Sequence, residues 1–352
     1  MKFDIGYSSS RKSFSERRNK GLMVSIKDVA RQAGVAISTV SKVLNNYPSV
    51  SDETREKVNR AVAELNFVPN SVAAALSSKH AGRVALMVNL NVSAQAIDEI
   101  DMRYISGAID KAMELNLDVI TLFFFMFKGK TVDEIMRYLQ SQSITGIIFY
   151  GLSKEDIVMH ELIAEQKFKC VTIDAPLINQ NTSCVTIDHL RAQYEVALKT
   201  VDENEFDKIL YIAGKSNGYV TDDRIEGMKR LAHDRGLSLI IEYGEFREKD
   251  AREITFQYGK KVNIIICASD LMAIGAMKAL KEMDIFRPVC GFDGIMLMAY
   301  VGQQMNTVSQ NFSALSARAM EELHMLMNGD TEGRIVEMPY VVTQINYLDI
   351  LQ

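Results

Sequence analysis

From Ser25 to Leu65 apolar residues recur at helical spacing in three short blocks. Ile26, Val29, Ala30 and Ala33 line one face, Gly34 supplies a tight turn, and Val40, Val43 and Leu44 make a second apolar face. Ser38, Thr39, Ser41 and Lys42 are left for the outside of the second block. In the third block Ser51 stands as an N-cap, Asp52 and Glu53 fill the first turn, and Thr54, Val58, Ala61, Val62 and Leu65 form a stripe. Such a stripe closes a three-helix core. Pro69 ends it, and Asn70 caps a very short helical segment, SVAAALS. Helices below about 12 residues are marginal alone in water, so this one is expected only against a partner.

Beyond Arg83 the pattern changes. VALMVNL, VITLFFF, GIIFYG and CVTID alternate with amphipathic stretches near 94–116, 131–142 and 154–167. A second series runs through ILYIAG, LIIEYG, NIIICAS and VCGFDG, with helices near 189–203, 221–236, 247–258 and 271–283. Alternation of this kind predicts parallel sheets flanked by helices, and two series predict two doubly wound subdomains. Ligands of such sheets bind beyond the carboxyl ends of the strands.

Two short helices about a tight turn are the pattern of a helix-turn-helix, whose second helix enters the major groove and reads base edges from its N-terminal residues. A plain helical bundle with solvated polar faces fits the same pattern. The alanine-rich segment that follows adds a second DNA-binding feature. Small side chains such as Ala73 would let two copies lie together in a widened minor groove, with Leu76 as the apolar wedge between base steps.

Charge divides at the same place. The chain of 352 residues carries a net charge of −5. Residues 1–82 hold 13 Lys and Arg against seven Asp and Glu, whereas the remainder holds 27 against 38. A basic head on an acidic body fits a protein that touches phosphates at one end only. The first 22 residues are polar, basic and without periodicity, which predicts disorder. Met23 is then a plausible true start, the rival reading being a basic arm that adds non-specific DNA affinity.

Several classes drop out. No apolar run approaches the roughly 20 residues that cross a bilayer, the longest being Val119 to Phe127, and no secretory pattern follows the N-terminal cations. Cys170, Cys184, Cys267 and Cys290 lack CxxC spacing and mostly lie in apolar strand-like runs, as in a reduced cytoplasmic protein. His80, His160, His189, His233 and His324 are scattered, without metal-ligand spacing. No GxGxxG follows the first strand and no phosphate loop is present, so neither an enzyme nor a cofactor is expected. A solute-binding protein feeding a transporter fits the core but not the basic head.

IKDVARQAGVAISTVSKVLN, VSDETREKV and VPNSVAAAL together closely resemble the lac repressor/gal repressor (LacI/GalR) family of bacterial transcription regulators. The resemblance implies that Ile37 and Ser38 occupy the main base-reading positions, with Thr39, Ser41 and Lys42 beside them on DNA. It makes Asn70, Ala73 and Leu76 part of a minor-groove hinge. For the core it implies a fold like that of periplasmic sugar-binding proteins, with a ligand between subdomains. Asp174, Ser269 and Asp293 follow strand-like runs, and Arg224 precedes Gly227 as the family's ligand-binding arginine does. Carboxylate and guanidinium together suit a polyhydroxy ligand. Asp174 can also be a loop cap, and Asp270 a helix cap.

The expected organisation is an extension over 1–22, a helix-turn-helix domain over 23–69, a hinge over 70–82 and a core over 83–352. Within the core one subdomain takes about 83–187 and 311–340, the other about 188–310 and 341–352. The expected partners are double-stranded operator DNA, a small effector, most simply a sugar, and a second copy of the chain; no membrane is expected. A non-sugar co-repressor or a partner phosphoprotein is the alternative. No heptad run closes the chain, so a tetramer of the lac repressor type is not expected.

Overall fold

The structure is a computed structural model that describes residues 25–44, 50–65, 67, 83–90, 99–203, 207–300 and 304–344. It divides into two compact units, Met1–Lys79 and His80–Gln352.

In the head, α1 (Ile26–Ala33), α2 (Ile37–Leu44) and α3 (Asp52–Glu64) enclose Val29, Ala30, Val40, Val43, Val58, Ala61 and Phe67. The caps are local. The Asp28 carboxylate accepts from the Ser25 N–H at 3.0 Å and the Ser25 hydroxyl at 2.6 Å, closing the first turn of α1. Gly34 ends that helix at φ +67°, a conformation other residues adopt at a cost. Ser51 does precede α3, but its hydroxyl pairs with the Thr54 hydroxyl at 2.9 Å and makes no side-chain bond to the helix backbone.

The core contains two parallel sheets. The first comprises β1 (Arg83–Val88), β2 (Asp118–Phe123), β3 (Ile144–Tyr150), β4 (Lys169–Ile173), β5 (Thr182–Thr186) and β11 (Ile335–Glu337), in the order β11-β5-β4-β3-β1-β2. Helices α4 (Glu99–Glu114) and α11 (Phe312–Asn328) cover one face; α5 (Val132–Ser141) and α6 (Ile157–Ala164) cover the other. Alternation within β1 shows why it reads as an unbroken apolar run. Val84, Leu86 and Val88 join one cluster, while Ala85 and Met87 join that on the opposite face.

The second sheet comprises β6 (Lys208–Ala213), β7 (Ser238–Tyr243), β8 (Ile264–Cys267) and β9 (Val289–Cys290), in the order β7-β6-β8-β9. Its helices are α7 (His189–Asp202), α8 (Tyr219–Arg235), α9 (Glu248–Tyr258) and α10 (Asp270–Glu282). An antiparallel ribbon of β10 (Asn306–Gln310) and β12 (Tyr340–Gln344) lies beside β9 through an Asp293–Ser309 bridge. The chain passes from the first sheet to the second through Ile187–Asp188, returns at Asn311 and crosses again at Met338–Pro339.

Three expectations change. VITLFFF stops being a strand at Phe123, and Phe124–Phe127 form a 3-10 turn. β1 ends opposite Phe123, so nothing remains to pair with, and the turn sets Phe124 edge-on to Phe149 and Phe127 edge-on to Tyr138. The stretch expected as a helix from about 94 is described as helix only from Glu99. β5, β11 and α11 were not anticipated. All four cysteines are buried and free, in β4, β5, β8 and β9, and burial pushes the thiols of Cys170, Cys184 and Cys290 up to about 12. Among the described residues no helix is long and apolar enough to cross a membrane, and no His/Cys/Asp/Glu group could hold a metal ion.

Candidate functional site

In α2 the helical period sorts the DNA-facing candidates from the core. Val40 and Val43 are buried, while Ile37, Ser38 and Lys42 are exposed and Thr39 and Ser41 half-buried. Ile37 opens the helix 44% exposed. Asn70, Ala73 and Leu76 lie outside the described residues.

The core candidates meet where strand ends of both sheets approach each other. Arg224, in the second turn of α8, is 4% exposed. Its Nη1 donates to the carbonyl oxygen of Ala268, just past β8. Nε and Nη2 lie 3.4 and 3.3 Å from Nδ1 of His189, the first residue of α7. Nη2 is 3.8 Å from Asp293 Oδ1, and the guanidinium sits 3.7 Å over the Phe292 ring.

Gly227 allows this approach. A Cβ there would stand 2.3 Å from the Leu190 carbonyl oxygen, so α8 packs on α7 through bare backbone. Gly227→Ala is expected to wedge the two helices apart and cost about 1–3 kcal/mol of stability. A denaturant midpoint unchanged from the parent would disprove that close packing.

Asp174 leaves β4 at φ +60° and turns its carboxylate toward the second sheet. Oδ1 accepts from the Thr186 hydroxyl at 2.8 Å and pairs with His189 Nε2 at 3.0 Å. Burial pushes this carboxyl up, but its contacts with His189 and the Thr186 hydroxyl, together with the nearby Arg224 charge, outweigh it and hold it below the usual range. Asp293 sits at φ +116°, a conformation that costs a non-glycine residue on the order of 1–3 kcal/mol. Its Oδ1 accepts from Gln310 Nε2 at 3.1 Å, and its N–H donates to Val308. Tyr104, its ring 5.2 Å from those of Tyr150 and Phe312, lies near both carboxylates. Burial first, and then Asp174 and Asp293, push its phenol well above the ordinary value.

Thus Asp174, Arg224 and Asp293 are brought together. Ser269 is not part of their hydrogen bonding: it is the N-cap of α10, accepting from the Met272 N–H at 3.3 Å. Asp270, weighed as that cap, does something else. Fully buried, it accepts from the Thr307 hydroxyl at 2.7 Å and the Ile295 N–H at 2.9 Å, fastening the loop that carries Asp293. Sequence reasoning missed His189, Thr186, Phe292 and Gln310. The one available signal was that Thr186 and His189 flank the expected crossover.

Burial pushes Asp270 up to about 7 against the opposing Thr307 and backbone hydrogen bonds. An unfolded aspartate titrates near 3.9, so the folded chain holds the extra proton between these values. The carboxyl's contribution to stability therefore falls as pH rises from about 4 to about 7. Asp270→Asn is expected to remove that slope, so its stability relative to wild type should improve toward pH 7. A difference that stays constant across this range in chemical denaturation would refute it.

One unit is thus a helix-turn-helix bundle, and the other consists of two parallel-sheet lobes with a polar cluster between their strand ends. The comparisons agree. Residues 25–70 match the bacterial regulatory proteins of the lacI family. HTH-type transcriptional regulator RegA of Clostridium saccharobutylicum is 28% identical over 317 residues, 87% of this chain and 93% of that protein. Catabolite control protein A of Staphylococcus aureus is 27% identical over 338 residues, covering 91% and 96%. The lac repressor dimer bound to operator and the anti-inducer ONPF superposes with a TM-score of 0.76 at 22% identity, covering 92% and 99%. The transcriptional regulator CelR–cellobiose complex gives 0.66 at 22% identity, covering 91% and 98%. Residues 25–70 thus carry a lacI-family DNA-binding region, and most of the chain is similar to HTH-type transcriptional regulators.

Proposed function

We propose that the chain is a repressor that binds double-stranded operator DNA as a homodimer and releases it when a sugar binds beside Asp174, Arg224 and Asp293. The observation that carries this reading is the juxtaposition of two carboxylates and a guanidinium from different lobes in one desolvated cluster. Adjacent hydroxyls of a sugar donate to carboxylates and accept from a guanidinium in fork geometry. CelR was solved with cellobiose, and the lac repressor with operator and with ONPG, which supports the same division of labour here.

In this reading α2 presents Ile37, Ser38, Thr39, Ser41 and Lys42 to the major groove. Residues 23–69 are the head, 70–82 the hinge bearing Asn70, Ala73 and Leu76, and 83–352 the core, with 1–22 an extension. Two-fold pairing gives the hinge its partner, and exposed Met102 and Met113 on α4 offer apolar surface for it. A sugar shifts the lobes only through its differential affinity for their two arrangements, and the marginal hinge helices register that shift.

Melting the purified protein against sugars, sugar phosphates and nucleobases tests the ligand class; the best binder then goes into gel-shift titration on operator DNA. Stabilisation by a neutral sugar that also weakens the operator complex is expected. Stabilisation by phosphates or nucleobases alone, or tighter operator binding with the sugar, would overturn it.

A further inference from the structure

His189 holds this cluster together, and its hydrogen-bonding partners fix its protonation state. The ring is 1% exposed. Arginine has donors and no acceptor, and two Arg224 donors converge on Nδ1 at 3.4 and 3.3 Å. Nδ1 therefore presents a lone pair. On the other side, Nε2 lies 3.0 Å from a carboxylate oxygen of Asp174, which only accepts. Nε2 therefore carries the proton. The other neutral tautomer would break all three contacts, and an imidazolium would turn an N–H against the guanidinium.

Placement adds the second half of the argument. Asp174 stands at the end of a strand in the first sheet, Arg224 on a helix over the second, and His189 opens α7 just after the crossover. We propose that His189 is a positioning residue: a neutral, Nε2-protonated relay that fixes Asp174 and Arg224 relative to each other, so that a ligand engages both lobes at once. The relay rests on the ligand role proposed above for Asp174 and Arg224. Phe292 braces it, its ring centroid 6.0 Å from the imidazole and 3.7 Å from the guanidinium.

Nitrogen-15 NMR of the full chain labelled at histidine tests the relay without any ligand, with His189→Leu and His189→Gln identifying the signals. An unprotonated Nδ1 and a protonated Nε2 are expected, with both signals moved by Asp174→Asn and by Arg224→Ala. A protonated Nδ1, or signals indifferent to those variants, would overturn the proposal.

A second arm titrates cellobiose, maltose and glucose into the same proteins. For whichever probe binds, His189→Leu should weaken affinity about tenfold, the scale of one or two hydrogen bonds. His189→Gln keeps a donor for Asp174 and should recover part of that loss. In an Asp174→Asn background, His189→Leu should add little, because the relay is already cut. Losses that simply multiply would show that His189 acts alone. If none of the three sugars binds the wild type, the sugar reading fails, and the relay is judged on its nitrogen signals.

Discussion

Replacing Arg224 with alanine is expected to raise the sugar concentration needed to release operator about tenfold to hundredfold, while operator affinity without sugar stays near wild type. The guanidinium is buried, stacked on Phe292 and directed at Asp293, so a ligand hydroxyl replacing any partner makes its hydrogen bond in a desolvated setting. Charge-assisted bonds of that kind contribute about 1.5–3 kcal/mol, which converts to the stated range. Arg224→Lys should fare little better, since an ammonium reproduces neither the fork nor the stacking. Truncation also leaves the Ala268 carbonyl and the acceptor nitrogen of His189 without their donor, so a drop in stability should accompany the loss of response. Gel-shift titrations with and without sugar measure both quantities. A variant that responds at the wild-type concentration would remove Arg224 from the site.

The largest effect on stability is expected from Glu322 of α11. It has no exposed surface and accepts from Arg334 Nε at 3.0 Å and Nη2 at 2.9 Å, from Arg318 at 2.9 Å and from the Ser183 hydroxyl at 3.0 Å. Through Arg334 it anchors the end strand β11 against β5, and Ser183 also accepts from the Arg334 N–H. Removing one member of a buried ionic group typically costs about 3–5 kcal/mol. Glu322→Ala should fall toward the lower figure, because half of the Arg334 side chain reaches solvent.

The pH dependence has a definite sign. Burial pushes this carboxyl up, but Arg334, Ser183 and Arg318 outweigh it and hold it below the usual glutamate range. Its contribution is therefore complete above about pH 4.3, the unfolded value, and is lost as pH falls through the lower folded one. Glu322→Gln should be much less stable than wild type at pH 7, with the gap closing in acid. An equal gap at pH 7 and pH 3, measured by urea unfolding, would contradict the assigned charge.

The head was legible because its determinants are local. Apolar residues three and four apart, a glycine able to adopt φ +67° and a carboxylate three residues beyond Ser25 specify α1 and its turn without distant help. The alternation of the core was legible for a related reason. Strands buried on both faces, such as β1 and β8, need continuous apolar runs whatever lies beside them.

Other features were decided only by the tertiary structure. β5 reads TSCVT, with no apolar run to announce it, yet it is buried because β4 and β11 flank it. In the sequence Asp174, Arg224 and Asp293 stand near strand or helix ends, but only the position of His189 beside the expected crossover hinted that a histidine would join the first two. Ser269 and Asp270 are adjacent and chemically suited to the same cap; the nearness of Thr307 and Ile295, 37 and 25 residues further along, gives the aspartate another task. A propensity is a property of neighbours in the chain, whereas the proton on His189, the charge on Glu322 and the end of β2 depend on partners that only folding brings within reach.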